Sequence, residues 1–190
     1  RHIEEQVSGD GARVSHLHER ECTLQRPHQK QIEVAPSPSL SPALREKLLA
    51  AAVSLARAVS YQGLGTFEFL VTGEGAGARE PFVFIEANPR LQVEHTVTEA
   101  VTGLDLVCAQ LQVAGGASLA ELGLNQTQVP PPRGHAVQLR ISTEILSAAG
   151  EARPAGGVLE VFEPTSGPGV RVDSFGYAGY RPNGRFDPLL

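Results

Sequence analysis

The sequence predicts an α+β protein. Three features carry this. Short runs of strand-favouring residues open the chain and recur to its end. Helical spacing appears in only a few segments before residue 132. The last third is built of short apolar runs between glycine- and proline-rich turns.

Taken in order, His2 to Ser8 and Arg13 to His18 read as strands joined at Gly9-Asp10-Gly11, where Asp-Gly tolerates the positive φ of a tight hairpin. Glu19 to Lys30 is dense in polar side chains, and Pro27 argues against a long helix. An exposed charged loop accounts for it; so does a site in which Lys supplies a point charge and Arg a fork for phosphate or a small oxyanion. Gln31 to Ala35 alternates as a short strand, and Pro36-Ser37-Pro38-Ser39 reads as a linker. Ser41 is a good N-cap and Pro42 a good first helical residue. Leu44, Leu48, Ala52, Leu55 and Val59 then recur at helical spacing, so a helix is expected from Pro42 to about Ser60 with that stripe in the core.

Gly63 and Gly65 break the pattern before a strand from Thr66 to Val71, with Glu68 and Leu70 on one face and Phe67, Phe69 and Val71 on the other. Thr72 to Pro81, with Gly73, Gly75 and Gly77, reads as a hairpin connection. Phe82 to Ile85 starts the next strand, Glu86 and Asn88 share one of its faces, and Pro89 stops the ladder. Pairing these strands can set Glu68 opposite Glu86. Facing carboxylates repel unless a cation lies between them, and Mg²⁺ takes one or two carboxylates plus substrate phosphates. Asn88 adds a third oxygen. Arg90, Gln92, Glu94 and His95 follow. A solvated loop after an edge strand explains these residues, and so does a site for a metal-bound phosphate and a small anion. Val97 and Val101 mark a helix up to Gly103; Leu104, Val107, Leu111 and Ala114 mark another, ended by Gly115-Gly116. Ser118 to Pro132 is a connector whose Pro130-Pro131-Pro132 run sets a boundary between residues 1–132 and 133–190. His135 to Ile141, Val158 to Phe162 and Val170 to Asp173 read as strands.

Composition narrows the function classes. The 190 residues carry a formal net charge of −5, which points away from nucleic acid and anionic membranes. No apolar run reaches the ~18 residues of a spanning helix, and no signal-peptide pattern opens the chain. Two cysteines, Cys22 and Cys108, make neither a disulfide framework nor a metal cluster and suit reduced thiols in a cytoplasmic protein. Methionine is absent and the first residue is Arg1, as expected of a piece of a longer protein.

Asn88-Pro-Arg-Leu-Gln-Val-Glu-His95 resembles the signature of the biotin carboxylase family of ATP-grasp ligases. Glu19 to Lys30, Gly65-Thr-Phe-Glu-Phe69 and Gly134-His-Ala-Val-Gln-Leu-Arg140 resemble further family segments, in family order. The resemblance implies the second half of an ATP-grasp domain over 1–132, then the start of the β-rich biotin carboxylase C-terminal domain over 133–190. It implies carboxylation of biotin with ATP and bicarbonate, with ATP, Mg²⁺ (or Mn²⁺) and biotin as cofactors. It places Glu68, Glu86 and Asn88 on the metal, His2, Gln25 and His28 near the nucleotide, and Lys30, Arg90, Gln92 and Val93 on bicarbonate. Glu94 becomes the general base and Arg140 the residue facing biotin. The implied partners are biotin on a carrier domain and a carboxyltransferase, in an oligomeric parent enzyme that is a fused acyl-CoA or pyruvate carboxylase.

The run Ser142-Thr143-Glu144-Ile145 departs from the acidic family pattern, which leaves any role there open. A glycine-rich phosphate lid has no counterpart in these residues, so the piece is expected to lack turnover alone. Two other functions fit parts of the pattern. A carbamoyl phosphate synthetase-like ligase would share the metal carboxylates but not the Gln92-Val93-Glu94-His95 ending. A catalytically inactive scaffold would have no use for Lys30, Glu68, Glu86, Arg90, Glu94 and Arg140 together.

Overall fold

A computed structural model describes residues 1–26, 29–72, 81–183, 185 and 188–190. The expectations for His28 and for the glycine-rich connection over 73–80 lie outside the described residues. The chain divides into two compact units, Arg1–Leu139 and Arg140–Leu190, so the proline run lies inside the first.

The first unit is an antiparallel six-stranded sheet. Its strands are β1 (His2–Asp10), β2 (Val14–Arg26), β3 (Gln29–Ala35), β4 (Gln62–Val71), β5 (Phe82–Asn88) and β6 (Ala136–Leu139), in the order β5-β4-β1-β2-β3-β6. Helix α1 (Pro42–Ala58) covers one face; α2 (His95–Thr102) and α3 (Leu106–Ala114) lie against the other. The fold is α+β, as the sequence predicts.

Two bulges set which side chains reach which face. In β2, the bulge near His18 (φ +69) puts an extra residue opposite β1, so Glu5 pairs with Glu19 but Val7 with His16. Val14 before it faces α1; after it Glu19 does, and Arg20 turns to the opposite face. In β5, Glu68 pairs with Glu86 but Phe69 with Phe84, leaving Ile85 as the extra residue. Phe84 thereby stacks on Phe67 and Phe69 on the α1 side, although Glu86, two residues on, faces the other way. Unbroken alternation would have put Phe84 and Glu86 on one face.

The α1 face is apolar: Ile3, Val7, Phe67, Phe69 and Val71 pack against Leu44, Leu48 and Ala52. Each buried leucine contributes roughly 1.5–3 kcal/mol. Ser41 caps α1, its Oγ accepting from Leu44 N at 3.3 Å. The buried stripe ends on Ala56; Leu55 and Val59 are exposed, because the last turn buries only the small side chain beside Tyr61. In α3 the buried residues are Leu106, Ala109 and Val113, and Val107 and Leu111 are exposed. That helix is apolar nearly all round, so spacing alone could not choose its buried face. Asp105 caps it, accepting from Cys108 N at 2.8 Å.

Other expectations are corrected. Glu19 to Arg26 is strand, not loop, because its charges find buried partners across the sheet. Gly63 and Gly65 lie within β4; at Gly65 a Cβ would fall 2.1 Å from Tyr61 Oη, so the bare backbone admits the tyrosine, whose hydroxyl donates to Leu64 O. Pro36 to Ser39 is no slack linker: Ser37 and Ser39 hydroxyls donate to Glu21 Oε2 at 2.6 Å each.

The second unit holds β7 (Glu144–Leu146) paired with β8 (Ala152–Pro154), and an isolated bridge joins Ser142 to Leu189. The strands expected at Val158 to Phe162 and Val170 to Asp173 are not formed. Those runs have strand-favouring side chains, but among the described residues the backbone pairing there is limited to Leu159 with Gly179 and Tyr180, too little for a strand. No helix among the described residues is long and apolar enough to cross a membrane.

Candidate active site

The sheet face opposite α1 carries a row of charges from strand to strand. β5 places Glu86 opposite Glu68 of β4, Glu68 is opposite Glu4 of β1, and Glu4 is opposite Arg20 of β2. Glu4 and Arg20 are fully buried. Burying such charges is costly unless they are paired, so their partners define the site.

Lys30 of β3 is the centre. Its ammonium donates to Glu4 Oε2, to Glu94 Oε1 at 2.7 Å and to Glu68 Oε1 at 3.1 Å. An ammonium has three donors, and all three are used. Burial works against its charge, but the carboxylates of Glu4 and Glu94 overcome that and hold the pKa well above the usual lysine value. These carboxylates favour the charged form of Lys30.

Glu68 gathers the rest. His2 Nε2 lies 2.6 Å from its Oε2, and Gln25 Nε2 lies 3.1 Å from His2 Nδ1. Asn88 Nδ2 donates to Glu68 Oε1 at 2.8 Å and to Glu86 Oε1 at 3.0 Å; Gln92 Nε2 donates to Glu68 Oε1 at 3.3 Å. Burial would raise the Glu68 pKa, but the His2 hydrogen bond and the Lys30 charge lower it to about 2. Glu4 is likewise held ionised: burial opposes its charge, and Arg20 and Lys30 outweigh it.

The loop after Pro89 supplies the other wall. Arg90 N donates to Asn88 O at 2.8 Å, turning the chain out of the sheet. Glu94 stands at the N-terminus of α2 and is buried against Lys30. His95 Nδ1 lies 2.8 Å from Gln92 O and fixes the bend. The structure thus brings His2, Gln25, Lys30, Glu68, Glu86, Asn88, Gln92 and Glu94 together. Arg90 and Val93 are exposed on the same loop, the Arg90 guanidinium donating to Leu91 O at 3.3 Å. Arg140 belongs to the second unit.

Glu4, Gln6, Arg20, Thr66 and Thr98 join this network by hydrogen bonds, and the sequence reading assigned none of them to the candidate site. Glu4 had a usable signal, since it is two residues from His2 in a strand and shares its face. Arg20 had none, because the bulge at His18 decides its face.

The donor set fits a hard divalent cation. Glu68 and Glu86 face each other, and Asn88 reaches both; reversing its amide would offer Oδ1 instead of Nδ2. The ligand atoms of His2, Glu4 and Glu68 also lie within 4.8 Å of one another, as do those of Glu4, Cys22 and Glu94. Cys22 is a poor ligand, since burial pushes its thiol pKa up. Four carboxylates, Glu4, Glu68, Glu86 and Glu94, face the buried Arg20 and the half-buried Lys30, so this face of the sheet is acidic with the Lys30 ammonium at its centre.

An antiparallel sheet that presents facing carboxylates and a half-buried lysine on one side fits an ATP-grasp ligase. The chain belongs to the family described as carbamoyl-phosphate synthase L chain, ATP binding domain, whose model matches residues 1–122. Over its whole length it is similar to the biotin carboxylase domain of a single-chain bacterial carboxylase, with 51% identity, a TM-score of 0.88 and 41% of that chain covered. It is also similar over its whole length to a single-chain, multi-domain long-chain acyl-CoA carboxylase, with 45% identity, a TM-score of 0.90 and 20% of that chain covered. Pyruvate carboxylase of Aspergillus niger is 45% identical over 192 aligned residues. The chain spans 15% of that protein's length. The fold is that of the ATP-grasp biotin carboxylase domain.

Proposed function

We propose that this chain serves the ATP- and bicarbonate-dependent carboxylation of biotin within a larger biotin-dependent carboxylase. ATP would phosphorylate bicarbonate, and the carboxyphosphate would supply CO₂ to N1′ of biotin. One observation carries the reading: the Lys30 ammonium is held between carboxylates from two strands and from the loop that leads into α2, beside the facing Glu68 and Glu86.

Because every Lys30 N–H already has a carboxylate acceptor, an incoming bicarbonate must replace one of them. Glu94 is the one on the loop side. Released from Lys30, its carboxylate takes the bicarbonate proton while the ammonium holds the anion. Backbone N–H groups at Gln92 and Val93 and the Arg90 guanidinium complete the anion's surroundings; preorganised donors of this kind are usually the largest catalytic term. His2 and Gln25 are assigned to the nucleotide, and His28 on the family resemblance alone. Glu68, Glu86 and Asn88 would hold magnesium or manganese, which screens phosphate charge. Arg140 is assigned to the biotin ureido oxygen on the resemblance of residues 134–140.

Biotin on a carrier domain, a carboxyltransferase and an oligomeric parent in the cytoplasm belong to the same proposal. The similarity to a single-chain, multi-domain long-chain acyl-CoA carboxylase supports a parent with further domains. The carbamoyl phosphate synthetase-like alternative is disfavoured by the similarity, along the whole of these 190 residues, to part of pyruvate carboxylase and to part of a biotin carboxylase domain. A general base contributes about 10²–10⁴-fold, so Glu94→Gln in the full-length enzyme should lower kcat by at least about 100-fold with little change in the KM for ATP. A near-normal kcat at saturating bicarbonate overturns the base assignment. Absence of biotin-dependent ATP hydrolysis by the wild-type enzyme overturns the reading as a whole.

A further inference from the structure

The geometry points to Arg20 as the positioning residue that holds α2, and with it Glu94, in place during turnover; this rests on the function proposed above. Arg20 is fully buried. Its Nε donates to Glu4 Oε1 at 2.7 Å, Nη1 to Gln6 Oε1 at 2.7 Å and to Thr98 Oγ1 at 2.9 Å, and Nη2 to Thr66 Oγ1 at 3.2 Å. One planar fork thus ties β1, β4 and α2 together. A lysine could not, because its donors radiate from a single nitrogen.

The link to α2 is the functional one. Thr98 lies four residues after Glu94, so the two stand one above the other on the helix face turned to the sheet. Among the other described side-chain hydrogen bonds between the sheet and this segment are Lys30 to Glu94, Gln92 to Glu68 and Thr96 to Gln138 of β6. The first two use groups that substrate or metal binding would recruit: Lys30 and Glu94 for the anion, Glu68 for the cation. When those two open, the bond from Arg20 to Thr98 remains at the centre of the sheet, whereas Thr96 is tied to the edge strand β6. The same guanidinium pairs with Glu4, which keeps that carboxylate beside Lys30. Arg20 therefore holds both the ammonium's fixed counter-ion and the helix bearing the base, without touching a substrate.

The test uses the full-length enzyme with Thr98→Val, Thr98→Ser and Arg20→Lys. Thr98→Val removes only the hydroxyl that Arg20 needs, while Val97 and Val101 keep α2 packed on Ala35. Hydrogen exchange at the first-turn amides of α2 should speed up in Thr98→Val and Arg20→Lys. Displacement of reacting groups by about an ångström costs up to about 100-fold, so kcat for biotin carboxylation should fall at least about tenfold in both, with the KM for ATP little changed. Thr98→Ser should restore both readouts, and the melting temperature of Thr98→Val should stay near wild type. Unchanged α2 exchange, or a wild-type kcat in Thr98→Val, overturns the inference. A uniform loss of stability with kcat and KM moving together assigns Arg20 a structural role only and also overturns it. If the wild-type enzyme carboxylates no biotin, the proposed function falls, and the exchange result still decides the clamp.

Discussion

Glu5 offers a sharp test of the sheet's energetics. It lies between Ile3 and Val7 on the α1 face, fully buried, and both of its carboxylate oxygens are buried without a hydrogen-bond partner. Its neighbours across the sheet are Glu19 and Phe67, and the nearby cations are already engaged, Arg20 with Glu4 and Arg45 of α1 with Glu19, each at 2.7 Å. Burial first and the Glu19 charge second push the Glu5 pKa well above the usual carboxylate range. The sign of the pH dependence follows. Below an unfolded-state pKa of about 4.3, both states are protonated and the acid has no pH-dependent cost. As pH rises from there towards the raised folded-state value, the unfolded chain releases a proton that the folded chain keeps, so stability falls by about 1.4 kcal/mol per pH unit. Glu5→Leu removes this titration together with an unpaired buried polar group worth about 1–3 kcal/mol. The variant should therefore be more stable than wild type at pH 5, and its advantage should widen by roughly 1–1.4 kcal/mol between pH 5 and pH 6. Denaturant titrations of both proteins at several pH values measure this. A difference that does not change with pH, or a variant less stable than wild type at pH 6, would refute the reasoning.

Gly65→Ala should destabilise by about 1–3 kcal/mol, since the new Cβ meets Tyr61 Oη; adding Tyr61→Phe should recover part of the loss in thermal melts. Glu4→Gln leaves Arg20 buried without its counter-ion and should cost about 3–5 kcal/mol, read from the shift in denaturant midpoint at constant slope. Glu86→Gln removes one of the two facing carboxylates, so ATP-dependent carboxylation should fall strongly and need more magnesium; an unchanged magnesium titration would remove Glu86 from the metal set.

Much of this molecule is legible along the chain. The Asp10-Gly11 turn, the Ser41-Pro42 start of α1, the facing of Glu68 and Glu86, and the bend after Pro89 all follow from local rules, because each depends on residues near one another or on simple alternation. The motif around Asn88 to His95 pointed to the family for the same reason: its residues are contiguous. What only the tertiary structure decided has one physical cause, the dependence of burial on partners distant in sequence. Glu19 to Lys30 reads equally as a solvated charged loop or as a site for an anion; in the fold Glu19 to Arg26 is strand, Arg20 is bonded to Glu4, Gln6, Thr66 and Thr98, and Glu19 Oε1 to Arg45. The bulges beside His18 and at Ile85 each add one residue to a period of two and so exchange core and site faces. No local signal marks them, since a bulge is set by how two strands register. Lys30 ends at the centre of three carboxylates only because β1, β4 and the start of α2 converge on β3, a convergence that the folded sheet alone creates.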